Sequence, residues 1–233
     1  MYDYLIKNVL VADGTGRAPY AADVAIQGEK IAAIGDLASS DAARVIDGAG
    51  RYLTPGFIDV HRHGEAAAFR PGYGKAELAQ GLTTVINGNC GLSMVPVAGP
   101  HRQEILDYLA PVVGDMPAGC DFSTLKEYRQ QLSEVPQRIH NGMLVGMGTL
   151  RGCAAGFYDG KLNDEAYEFI WKLLKEGLEQ GALGVSLGLG YAPECFYDTE
   201  GMIRSLEPLK YSGTVITVHM RQEGDEEIGR AHV

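Results

Sequence analysis

The feature that most constrains this chain is a change of rhythm at Pro55. Beyond it, short apolar segments at 56–61, 82–87, 142–147, 182–187 and 214–219 alternate with stretches of helical character, the pattern of parallel βα units. Helices are expected over 101–113, 123–133 and 164–180. The last has the fullest set of signals: Asn163 suits an N-cap, Asp164 and Glu165 suit the first turn, Tyr167, Ile170, Leu174 and Leu178 form an apolar stripe, and Gly181 sits where a C′ glycine belongs. A further helix near 199–211 contains Pro208, which lacks a backbone donor and should kink or end it.

Residues 1–53 read differently. Short β-rich runs at 4–11, 23–27, 30–34 and 44–47 are punctuated by turns, and the pair Gly28-Glu29 suggests a tight hairpin. This region is expected to be a small antiparallel β-domain. The remainder, 54–233, would then be a second domain. A closed (β/α)₈ barrel takes roughly 250 residues, so 54–233 supplies only five or six units, and the expected fold class is α/β with an incomplete barrel behind a small β-domain.

Composition narrows the function classes. A formal charge of -10 gives no net attraction to phosphate backbones or anionic lipid, so neither nucleic acid nor a membrane is an expected partner. The start, Met1-Tyr2-Asp3-Tyr4, has no basic region followed by an apolar one, and the longest stretch without Asp, Glu, Lys or Arg, 78–101, is broken by glycine, asparagine and proline. A cytoplasmic location is the expectation. Four widely spaced cysteines suggest neither a disulfide framework nor a zinc ribbon.

The chemistry concentrates just past the predicted strands. In Pro55-Gly56-Phe57-Ile58-Asp59-Val60-His61-Arg62-His63-Gly64, alternation along an extended segment turns His61 and His63 the same way, with Cα atoms about 6.6 Å apart, so that both imidazoles can reach one metal ion. Cys90 follows the strand at 82–87, either as a thiolate ligand or as a small buried apolar residue. His219 ends the strand at 214–219, as a ligand or as a core histidine bonded to backbone. Arg221 is placed to share its face and to meet a substrate carboxylate or form an exposed salt bridge. Gly14-x-Gly16 has Pro19 in place of a third glycine, which argues against a dinucleotide site. His101 and His140 are expected to be solvated near helix starts or loops, and Glu223, Asp225, Glu226 and Glu227 to form an exposed acidic face.

Taken in order, these motifs resemble a known family. The segment at 55–63 resembles the amidohydrolase superfamily. Gln80-Gly81-Leu82-Thr83-Thr84-Val85 with Gly88-Asn89-Cys90-Gly91, Gly181-Ala182-Leu183-Gly184-Val185-Ser186 with Gly190-Tyr191-Ala192-Pro193-Glu194, and His219-Met220-Arg221 with Glu223-Gly224 are similar to its N-acyl-D-amino-acid deacylase (D-aminoacylase) branch. The resemblance spans nearly the whole chain. It implies a TIM-like barrel with a small β-sandwich built from both chain ends, and zinc-dependent hydrolysis of the amide bond of N-acyl-D-amino acids. It also implies His61, His63, Cys90 and His219 as metal ligands, with Tyr191 and Arg221 as substrate contacts. A further histidine ligand and the catalytic aspartate are expected from later strands, beyond Val233, and His232 follows His219 too closely to be that ligand. Met147 stands where relatives carry a histidine and cannot supply its proton chemistry. Two other readings compete. Dihydroorotase or hydantoinase relatives use a carboxylated lysine where this branch has cysteine, and no lysine ends a predicted strand here. The other is a fragment that binds metal without turnover, its open barrel edge covered by an oligomer or a partner chain.

Overall fold

A computed structural model describes residues 1–222 and Gly224. The acidic cluster at Glu223, Asp225, Glu226 and Glu227, and His232, lie outside the described residues. The chain forms two compact units, Met1–Gly56 and Phe57–Val233.

The first unit is one five-stranded sheet of β1 (Tyr2–Val11), β2 (Tyr20–Gln27), β3 (Lys30–Gly35), β4 (Ala42–Asp47) and β5 (Tyr52–Leu53). Its order is β3-β2-β1-β4, with β5 also on β1. The β2–β3 hairpin closes at Gly28-Glu29, where Gln27 pairs with Lys30 and Gly28 takes a φ of 60°, as a two-residue turn with glycine first demands. The sheet is mixed rather than antiparallel, because β4 and β5 both run parallel to β1. Local patterning could mark these strands but not their direction, since parallel pairing depends on the crossover route and not on the strand's own residues. Leu5, Val9, Val11, Val24 and Ala25 are the buried apolar side chains of this sheet.

In the second unit every strand pairing among the described residues is parallel. It contains β6 (Phe57–Asp59), α1 (Lys75–Ala79), β7 (Leu82–Asn87), α2 (Arg102–Val113), α3 (Leu125–Ser133), β8 (His140–Met143), β9 (Val145–Gly146), α4 (Met147–Ala155), α5 (Asp164–Glu179), β10 (Gly184–Gly188), α6 (Thr199–Ser205) and β11 (Val215–His219). Two runs, β6-β7-β8 and β9-β10-β11, meet at Leu144, the residue between β8 and β9, whose N–H donates to the Asn87 carbonyl. The strand expected at 142–147 is therefore a broken one. It opens earlier, at exposed His140, and gives way at Met147 to a helix that the sequence did not announce.

The other helices follow their caps. The Asn163 side chain accepts from the Ala166 N–H at 3.0 Å, and Thr124 and Glu127 close a reciprocal capping box on α3. Helix α6 stops at Ser205, and Pro208 falls in a separate 3₁₀ turn. Ile170 and Leu174 of α5 pack with Leu150 of α4 and with Val145 and Val185 on the sheet; burying each such side chain contributes roughly 1.5–3 kcal/mol. A second cluster joins Leu92 and Met94 to Ile105 and Leu109 of α2 and to Phe122 and Tyr128 beside and on α3. The two outermost strands are different: Phe57 and Ile58 on β6, and Val215, Ile216 and Val218 on β11, are all exposed. No helix among the described residues is long and apolar enough to cross a membrane.

Candidate metal centre

Because β6 to β11 are parallel, their carboxyl ends share one rim. His61 lies two residues beyond β6, Cys90 three beyond β7, and His219 is the last residue of β11, paired with Gly188 at the end of β10. Backbone and amide bonds bring the first two together. The Arg62 N–H donates to the Ile86 carbonyl at 2.9 Å, and Asn89 Nδ2 donates to the carbonyls of Val60 at 3.2 Å and Ile86 at 3.0 Å.

The side chains then converge. His61 Nε2 lies 3.1 Å from Cys90 Sγ, which lies 3.5 Å from His219 Nδ1. One donor atom from each of His61, His63 and Cys90 falls within 4.8 Å of the others. Burial, followed by the neighbouring charges of His61 and His219, holds the His63 pKa below its ordinary 6.5. His63 is thus neutral near pH 7 with a lone pair available. Its Nδ1 is buried with no hydrogen-bond partner among the described residues. Two imidazoles and a sulfur at this spacing, one of them with an unsatisfied buried nitrogen, fit a borderline-soft divalent metal such as zinc.

The remaining expected residues fall as follows. The Tyr191 hydroxyl is 3.3 Å from His219 Nε2, with the two rings 4.6 Å apart between centroids. Arg221 donates from Nη1 to the Cys195 carbonyl at 3.0 Å and from Nη2 to the Tyr197 carbonyl at 3.3 Å, so its guanidinium is oriented by backbone rather than by a surface carboxylate. Met147 is fully buried in the apolar core beside Val145 and Leu150. His101 stands at the N-cap of α2 and pairs with Glu104 at 2.9 Å. A cavity of about 570 Å³ opens beside the donors, lined by His63, Cys90, Leu92, Tyr108, Val112 and Tyr191 among others.

Sequence reasoning missed the buried polar residues that support this rim. Glu65 and Glu194 are buried carboxyls, each pushed up to about 8 by burial and therefore protonated near pH 7. Glu65 Oε1 accepts from the Gly88 N–H at 3.0 Å and Glu194 Oε2 from the Gly188 N–H at 2.7 Å. Ser186 is fully buried in the middle of β10. Its sequence signal is faint: a single hydroxyl inside an otherwise apolar strand.

A (β/α) rim that brings two histidines, a cysteine and a third histidine together at strand ends is a metal-binding arrangement, and the chain is similar to the amidohydrolase family. The model of that family matches residues 44–119. Within it, the chain is similar to the D-aminoacylase of Alcaligenes xylosoxydans xylosoxydans, at 32% identity over 96% of this chain and 45% of that protein. A crystal structure of a D-aminoacylase is 34% identical with a TM-score of 0.83, covering 97% of this chain and 47% of the other. The N-acyl-D-glutamate deacylase of Bordetella bronchiseptica, solved with zinc and a phosphonate mimic of the tetrahedral intermediate, is 30% identical with a TM-score of 0.86, covering 96% and 46%. The chain spans about half the length of the relatives it matches.

Proposed function

We propose that this chain carries the metal-binding part of a zinc-dependent hydrolase that cleaves the amide bond of N-acyl-D-amino acids. The observation that carries this reading is the approach of Cys90 Sγ to both His61 Nε2 and His219 Nδ1, beside a neutral His63. His61, His63, Cys90 and His219 would hold the ion. Zinc held by these residues would supply Lewis acidity toward a carbonyl oxygen and a lowered pKa for water. Sulfur and imidazole in one set select zinc over the hard cations, which prefer oxygen.

The chain's own residues then position the substrate. Tyr191, whose hydroxyl is within hydrogen-bond reach of the His219 ring and which lines the same cavity as His63 and Cys90, would orient that ring and offer its hydroxyl to a substrate. Leu92, Tyr108 and Val112 give the cavity an apolar wall suited to an acyl or side-chain group. Arg221, pinned by two carbonyls, presents its remaining donors toward a carboxylate. Met147, buried in the core, donates no proton here.

In the same reading β6 to β11 are the first strands of a TIM-like barrel, and the five-stranded sheet is one layer of a β-sandwich. Exposed Phe57, Ile58, Val215 and Val218 on the outer strands of one unit, and exposed Ile31 and Val45 on the other, are surfaces that further strands or a partner chain would cover. The test is direct: zinc quantified in the purified chain and in the full-length protein, with each assayed on N-acetyl-D-methionine and its L-enantiomer. Stoichiometric zinc and D-selective hydrolysis by the full-length protein support the reading, and a chain that takes up no metal overturns it.

A further inference from the structure

The loop that carries Cys90 has an unusual backbone. Of its four residues Gly88–Gly91, three lie in the left-handed region, Gly88 at φ 78°, Cys90 at 57° and Gly91 at 70°. Glycine accepts this conformation readily, but a residue with a Cβ does so only when its surroundings impose it. What imposes it here comes from β10, far away in sequence. Ser186 Oγ accepts the Gly91 N–H at 2.9 Å and donates to the Gly88 carbonyl at 2.5 Å, so one hydroxyl closes both ends of the loop.

Other contacts prevent the loop from sliding. The Gly91 carbonyl accepts the Thr149 N–H at 2.9 Å. Behind it, Glu194 Oε2 anchors the Gly188 N–H two residues beyond Ser186 on the same strand. Asn89, the remaining residue of the loop, reaches across to the Val60 carbonyl beside His61. The hydroxyl is thus one fixed point in a set that determines where Cys90 Sγ stands relative to His61.

We propose that Ser186 is a positioning residue of the metal centre, its hydroxyl stapling both ends of the Gly88–Gly91 loop so that the Cys90 sulfur faces His61 and His219. This rests on the metal-binding reading of Cys90 given above. A purely structural serine would leave the relation between sulfur and imidazole unchanged when removed, whereas a positioning serine would not.

The test uses Ser186→Ala and Ser186→Thr beside the parent chain. In the metal-free chains, nuclear Overhauser contacts between the Cys90 and His61 side chains report the geometry directly. In the cobalt-loaded chains, the thiolate-to-cobalt charge-transfer band reports whether sulfur is bound. Ser186→Ala is expected to lose the contact, to lose most of the charge-transfer intensity, and to bind cobalt about 10- to 100-fold more weakly, the usual effect of removing a group that orients a ligand. Ser186→Thr, which keeps the hydroxyl, is expected to retain contact and band. A folded Ser186→Ala chain with parental contact overturns the proposal, as does a threonine variant that fails to restore it. A Ser186→Ala chain that does not fold overturns it as well, because the hydroxyl would then serve the core rather than the sulfur. A parent chain that takes up no cobalt defeats the metal-binding reading alone, while the contact in the metal-free chains still decides the role of Ser186.

Discussion

The hairpin turn of the N-terminal sheet and the strand-end loops around Cys90 use glycine for opposite reasons. At Gly28 the φ is 60° and a Cβ built there meets nothing within 4 Å, so glycine serves only the dihedral. At Gly188 there is no positive φ, yet a Cβ would stand 1.9 Å from the Cys90 carbonyl oxygen, and at Gly146 one would stand 2.5 Å from the Gly91 carbonyl. The rim that carries the candidate ligands is therefore assembled at these two glycines by backbone pressed against backbone between neighbouring loops, and at these two positions its tolerance for an added atom is near zero. Gly188→Ala is the sharpest way to break that contrast. It should displace the Cys90 loop, abolish zinc binding and lower unfolding stability by roughly 3 kcal/mol or more, as read by urea denaturation and metal titration. A Gly188→Ala chain that binds zinc like its parent would show that the crowding does not hold Cys90 in place.

Two buried cysteines sharpen the same point. Cys153 is fully buried in the apolar core, and burial pushes its thiol up to about 11, so it stays protonated and inert. Cys90 is also buried, but with an imidazole 3.1 Å from its sulfur. Cys90→Ser should weaken zinc binding by about 100-fold, since a hydroxyl is a far poorer zinc ligand than a thiolate. Cys153→Ala should leave zinc affinity unchanged and cost roughly 1 kcal/mol of stability through the cavity it leaves. Equal zinc affinities in the two variants would remove sulfur from the site.

What the sequence disclosed follows from where its signals lie. His61, His63, Cys90 and His219 stand out because each lies at or shortly past the end of an apolar strand, and parallel strands end on one rim. The strand at 82–87 was legible residue by residue, and the helix capped by Asn163 to within one residue at its end. Helix α4 was not, because seven of its nine residues are buried, including Arg151 and Gly152, and a helix buried on nearly all sides has no period to read. Nor were Ser186, Glu194 and Glu65. A polar side chain sunk among apolar ones signals nothing until the strand that it faces is known. The mixed pairing of the first sheet escaped for a similar reason, since Ala42–Asp47 looks alike in either direction.

The buried carboxyl behind the rim titrates in the opposite sense to Asp47 of the N-terminal sheet, whose pKa is lowered by hydrogen bonds from Asn8 and Ala49. Burial raises Glu194 from its ordinary 4.5 to about 8, so between those values the folded chain holds a proton that the unfolded chain has released. Stability from this group is therefore complete below pH 4.5 and falls as pH rises toward 8, by up to about 1.4 kcal/mol per unit. Glu194→Gln removes the titration while keeping the shape. The unfolding free energy of the parent minus that of the variant should decline steadily across this window in urea melts. A difference that is flat with pH would mean that Glu194 is ionised in the folded chain.

The smallest effect is expected where the comparison began. Gly28→Ala places a methyl in open space but leaves an alanine at φ 60°, which costs about 1 kcal/mol. The Gly28 N–H donates to Asp3 Oδ2 at 2.6 Å, and this bond survives the change because the donor is backbone. Thermal unfolding should thus shift by only a few degrees, with zinc stoichiometry and affinity unaltered. A loss of zinc from Gly28→Ala would contradict the division drawn between a turn that needs only a dihedral and a rim that needs space, and would tie the hairpin to the site through a route that these contacts do not contain.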